Sequence, residues 1–138
     1  MLIGRYAKEP SKGTVPRQDK WGLRVVREIE KVALLFAGQG AQYVGMGEDL
    51  YAAFLESKAV FDKANKVLGF SLSELCFAGP AQELTQTQNC QPAILVTSIA
   101  AWEAFKSVQG LELAAYNYVA GLSLGEYSAL VAAGAIAL

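Results

Sequence analysis

Residues Gly121-Leu122-Ser123-Leu124-Gly125 set a serine between two glycines, and their flanks restrict what this pentapeptide can be. Tyr118-Val119-Ala120 precede it as an apolar strand end, and Glu126 to Ala133 follow as good helix-forming material. A strand that turns into a helix over so few residues leaves almost no room for side chains two positions either side of the serine. Glycine is the residue that fits, and the pattern is that of a nucleophile elbow. Ser123 would then stand exposed at the positive end of a helix whose free N–H groups can stabilise an oxyanion. The competing reading is an ordinary β–α turn carrying a solvated serine.

A serine nucleophile at neutral pH ordinarily works with a general base, and histidine is the usual one. The chain has no histidine. Either Ser123 is not a nucleophile, or its base is supplied by sequence beyond these 138 residues.

The composition is that of a packed domain: 53% of residues are hydrophobic and 18% charged, so the chain can bury a core. A net charge of −1 gives no general attraction for nucleic acid or membranes. The apolar run from Pro92 to Trp102 is interrupted by Thr97 and Ser98 and is too short to span a bilayer. No secretory signal is evident. Cys76 and Cys90 share no metal or redox spacing and read as reduced thiols, which with the missing signal predicts a cytoplasmic protein without a metal site.

Charge divides the chain near residue 30: residues 1–30 carry a net +3 and residues 31–138 a net −4. The first part, with Pro10, Gly13 and Pro16, reads as a flexible basic extension with a short helix over Leu23–Ile29. Residues 1–31 also have the character of translated leader. Val32 can be encoded by GTG, an alternative start codon, and Arg27-Glu28 by AGG-GAG, a ribosome-binding sequence.

Lys31 to Phe36 form a continuous apolar run suited to a parallel strand buried on both faces. Gly38-Gln39-Gly40 follow as a flexible loop. The spacing of Leu50, Phe54, Val60, Phe61, Ala64 and Leu68 predicts helix from Met46 to about Leu68, stopped by Gly69. A short helix is expected over Ser73–Phe77 and a turn at Gly79-Pro80. Pro92 is expected to open a long, nearly all-apolar helix to about Val108, which Gly110 breaks. Ala115–Ala120 form the second strand. Strand, helices, strand, helix is the order of an α/β domain with a parallel sheet.

With Phe36-Ala37-Gly38-Gln39-Gly40-Ala41-Gln42 near its start and Gly121 to Leu130 near its end, the chain resembles the malonyl-CoA:acyl-carrier-protein transacylases of fatty-acid synthesis. Tyr43-Val44-Gly45-Met46-Gly47, Gly79-Pro80 and Gln91-Pro92-Ala93 match in order between them. The resemblance covers residues 31–138. It implies the N-terminal part of an α/β-hydrolase-like large subdomain, without the family's ferredoxin-like small subdomain. It also implies that the family's histidine and substrate-binding arginine lie later in sequence.

By the same resemblance, Ser123 is the residue that becomes malonylated, and the backbone N–H groups of Gln39 and Leu124 form the oxyanion hole. Gln91 matches a glutamine lining the active site. The implied reaction moves a malonyl group from coenzyme A to the phosphopantetheine thiol of an acyl carrier protein through a serine ester. Malonyl-CoA is the substrate, and no cofactor is held permanently. Two positions depart from the pattern. Leu122 stands where the family commonly has histidine, and Ala37 where it commonly has proline.

Two other functions fit the same elbow. One is a serine esterase or thioesterase, which needs an acidic residue and a histidine downstream. The other is a non-catalytic truncated product. The chain alone is expected to lack turnover and to associate, with the Pro92–Val108 helix finding too little partner surface.

Overall fold

The computed structural model describes residues 2–6, 31–109 and 117–138. The expected helix over 23–29, the break at Gly110 and the start of the second strand at 115–116 lie outside these residues. Strand β1 (Leu2–Tyr6), strand β2 (Lys31–Phe36) and strand β3 (Tyr118–Gly121) form one sheet in the order β1-β2-β3. β2 and β3 are parallel, with Ala33 opposite Tyr118 and Phe36 opposite Gly121. β1 is antiparallel to β2, with Leu2 opposite Leu35 and Tyr6 opposite Lys31.

β1 replaces extension with structure at residues 2–6, where no element was expected. The physical reason is local: Leu, Ile and Tyr favour extended backbone, and the second edge of β2 offers a ladder of unpaired peptide groups.

Among the described residues six helices accompany the sheet: α1 (Glu48–Ala53), α2 (Leu55–Leu68), α3 (Leu72–Ala78), α4 (Ala81–Leu84), α5 (Thr87–Gln109) and α6 (Gly125–Ala132). The single helix expected from Met46 to Leu68 is two. Phe54 adopts extended backbone (φ −128°, ψ 124°) and serves at once as the end of α1 and the start of α2. Its N–H bonds to Leu50 O, and its own carbonyl accepts from Lys58 N–H, so one residue turns the chain while the apolar spacing continues through it. Gly69 ends α2 in left-handed backbone (φ 75°), as its sequence position implies. The side chain of Ser71 accepts from Glu74 N–H at the start of α3.

Pro92 does not open α5. The helix starts at Thr87, where Gln86 O accepts from the N–H groups of both Asn89 and Cys90. Pro92 therefore lies inside it and leaves one helical carbonyl without its usual donor. The helix is well covered all the same. Every residue from 92 to 106 is buried or half-buried, which corrects the expectation that this chain gives α5 too little partner surface. α2 and α6 pack along it, and the buried Ser57 hydroxyl on α2 donates to Ala100 O at 2.8 Å.

The core runs from the sheet through α6 and α5 to α2 and α3, with Leu34, Phe61, Leu72, Leu84 and Trp102 almost fully buried. Tyr51, Phe61 and Phe77 meet edge to face, with ring centroids 5.2–5.9 Å apart. Cys76 and Cys90 are free and buried, and burial pushes the Cys76 thiol from the usual 9.0 up to about 11. Cys76 is thus a protonated core residue at neutral pH.

Among the described residues, β2 and β3 are covered on one face only, against the expectation of burial on both. Leu34 and Phe36 point into the core, while Leu35 is 45% exposed and its neighbours on the same face, Tyr118 and Ala120, are exposed too. No helix among the described residues is long and apolar enough to cross a membrane.

Candidate active site

The parallel register puts two loops at one edge of the sheet. Phe36 and Gly121 are paired at the carboxyl ends of β2 and β3, so the segments after them leave side by side. Open α/β sheets bind their ligands at this edge.

The elbow after β3 is as tight as its glycines suggest. A Cβ on Gly121 would lie 1.9 Å from the backbone carbon of Gly125. One on Gly125 would lie 2.4 Å from Phe36 O, at the end of the neighbouring strand. Any side chain at either position would have to displace backbone. The turn itself is closed by Gly125 N–H to Leu122 O at 2.9 Å and Glu126 N–H to Ser123 O at 3.0 Å, which start α6.

Ser123 sits between them with φ 54°, a left-handed conformation held by no other non-glycine residue among those described. Such backbone is strained for a residue with a Cβ and concentrates at functional sites. Ser123 is exposed. Leu124 precedes the first residue of α6 with helical backbone, and its N–H donates to nothing among the described residues. Ser128, one turn into α6, is fully buried and its hydroxyl has no partner there.

The loop after β2 is pressed against this elbow. A Cβ on Gly38 would lie 2.5 Å from Leu122 O, so glycine is needed there for close approach. Gly40 needs to be glycine for a different reason: nothing crowds it, but its φ is 104°. Its N–H donates to the side-chain oxygen of Gln42 at 2.9 Å. The N–H of Gln39, between the two glycines, has no partner among the described residues. Beneath the loop is a cavity of about 270 Å³, lined by Ala37 and Ala41 from the loop, Met46 and Leu50, and Ile94 and Thr97 from α5.

The structure thus brings together Ser123, Leu124, Gly121 and Gly125 with the Gly38–Gly40 loop. Gln91 shows no contact with this grouping in its exposure or in the cavity linings. It is exposed on α5, one residue before Pro92, and lines neither this cavity nor a larger one of about 430 Å³ between α3 and the start of α5. Leu122 presents an apolar side chain, 77% exposed, directly before the serine. Gly38 and Gln42 carry contacts that the sequence reading did not assign. Gly38 was readable only as part of a loop, and Gln42 only as part of a motif.

The model of the acyl transferase domain family matches residues 33–138. The malonyl CoA-acyl carrier protein transacylase of Bacillus subtilis strain 168 is 52% identical over 108 residues, which is 78% of this chain and 33% of that protein. The crystal structure of MCAT from Streptococcus pneumoniae is 49% identical, with a TM-score of 0.68 over 74% of this chain and 32% of that one. A malonyl-transacylase solved in complex with a type II PKS acyl-carrier protein is 45% identical, with a TM-score of 0.67 and coverage of 74% and 32%. The chain spans about a third of the length of these relatives. The match over residues 33–138 takes in both the loop after β2 and the elbow, and by it the chain belongs to the acyl transferase domain family.

Proposed function

We propose that this chain carries the nucleophile half of a malonyl-CoA:acyl-carrier-protein transacylase site. The observation that carries the reading is the left-handed Ser123 in a turn that tolerates no side chain at Gly121 or Gly125. The names of its relatives, and the acyl-carrier-protein complex of one of them, supply malonyl-CoA as donor and acyl carrier protein as acceptor. In this reading residues 31–138 are the N-terminal part of an α/β-hydrolase-like large subdomain, residues 1–30 an extension to it, and the ferredoxin-like subdomain belongs to the rest of the family's fold.

The Ser123 hydroxyl attacks the thioester carbonyl, and the electron pair of the C=O moves onto oxygen. The N–H groups of Gln39 and Leu124 face that oxyanion; removing one such donor costs about 10²–10³ in rate in enzymes that rely on them. Collapse of the intermediate breaks the C–S bond, coenzyme A leaves as its thiol, and a malonyl ester remains on Ser123. The phosphopantetheine thiol of the carrier protein then attacks the ester, and the serine proton returns. Gln91 is assigned to the acyl-binding wall. The chain has no histidine to take the Ser123 proton, so alone it should acylate slowly, by oxyanion stabilisation without a base.

Intact-mass analysis after incubation with malonyl-CoA tests the assignment. A malonyl adduct should map to the peptide containing Ser123 and vanish in Ser123→Ala. An adduct that survives the substitution sinks it.

A further inference from the structure

Of the adjacent N–H groups of Gln39 and Gly40, only that of Gly40 has a partner among the described residues. The Gly40 N–H is held by the Gln42 side chain at 2.9 Å, a contact between residues two apart. Little else supports this stretch. Upstream, Gly38 rests on Leu122 O. Downstream, the next backbone hydrogen bonds among the described residues are Gly45 N–H to Cys76 O at 2.8 Å and Met46 N–H to Tyr43 O at 3.2 Å. Ala37 and Ala41, on either side of this stretch, line the 270 Å³ cavity, and apart from its chain neighbours no described residue comes within 4 Å of where a Gly40 Cβ would be. The middle of the loop is therefore held by a hydrogen bond and not by packing.

We propose that Gln42 is the positioning residue of this loop: its carboxamide oxygen holds the Gly40 N–H and so fixes the backbone that presents the neighbouring Gln39 N–H beside the elbow. The proposal rests on the acyl-transfer reading for its purpose, though the clamp itself is a property of the loop. A glutamine suits the task because its oxygen accepts without charge while its NH₂ remains free to donate. Asparagine at 42 is one methylene shorter and should not reach. Glutamate keeps the reach and the acceptor.

The test uses the 138-residue chain as wild type, Gln42→Ala, Gln42→Asn and Gln42→Glu, with two readouts. The first is amide hydrogen exchange resolved at Gln39 and Gly40. The second is the single-turnover rate of Ser123 acylation by malonyl-CoA, followed by intact mass. In wild type and Gln42→Glu, Gly40 should exchange slowly and Gln39 fast. In Gln42→Ala and Gln42→Asn, Gly40 exchange should rise about tenfold or more and the acylation rate should fall by about tenfold, the size expected of a misplaced donor. Recovery of both by Gln42→Glu separates the clamp from a general loss of fold. Gly40 exchange that ignores residue 42, in a chain whose Ser123 is acylated, overturns the clamp alone. Gly40 exchange that follows residue 42, in a chain whose Ser123 takes no acyl group, supports the clamp and overturns the slow base-free acylation expected of this chain alone. Full acylation in Gln42→Ala despite a released Gly40 amide overturns the positioning role.

Discussion

Gly125 is the residue at which the site and the sheet are joined. Its missing side chain lets α6 begin 2.4 Å, measured to a virtual Cβ, from the last carbonyl of β2. Alanine there cannot be relieved by a rotamer change, because the obstacle is backbone on another element. Gly125→Ala should therefore cost more than about 3 kcal/mol, the upper end for overpacking, and urea titration should show it as a lowered midpoint. An unchanged midpoint would mean that β2 and the elbow are farther apart than the structure has them. Gly69→Ala is a useful contrast, because its φ of 75° is strained for alanine but nothing crowds the added methyl. It should cost about 1 kcal/mol, from conformation alone.

Helix α5 is the structural axis of the chain, and its buried Trp102 stacks on Phe105 with ring centroids 5.9 Å apart. Trp102→Ala should lower stability by about 3–5 kcal/mol, enough to unfold a marginal domain, and thermal melting by circular dichroism would read it. The elements that could be read from the sequence were those whose pattern and boundary agree. The β2 run, the Gly69 stop and the all-round apolar character of α5 are of this kind. The glycine spacing of the elbow was readable too, because sterics leave few alternatives at such a turn. What escaped was set by geometry that leaves no compositional trace. Phe54 breaks a helix without interrupting the apolar spacing, since one extended residue serves as the cap of both halves. The start of α5 at Thr87 was hidden by Pro92, which reads as a helix opener but here is tolerated inside the helix. The Gln42 clamp joins residues two apart in a loop, where neither period nor propensity carries a signal.

For the molecule as a whole, the face of β2 and β3 that no described element covers decides behaviour in solution. Leu35, Tyr118 and Ala120 lie side by side on it, and Leu122, Tyr127 and Leu130 expose further apolar surface around the elbow. Contiguous apolar surface beside a strand edge favours association. Light scattering should show oligomers at micromolar concentration, and the pair Leu35→Lys and Tyr118→Lys should shift the mass toward the monomer. A clean monomer for the unsubstituted chain would overturn this. The pairing of Phe36 with Gly121 also orders events in time. The helices from α1 to α5 lie between those residues in sequence and pack on one another, α2 against α5 above all. Joining β2 to β3 and α6 closes a loop that contains all five of those helices, and contacts of high sequence separation form slowly. A refolding chain should regain its helical signal before the Leu122 N–H finds Phe36 O, which it meets at 3.4 Å in the finished fold. Until that bond closes, Gln39 and Ser123 belong to separate parts of the chain, and the acyl-transfer site we propose is unassembled in a helical intermediate.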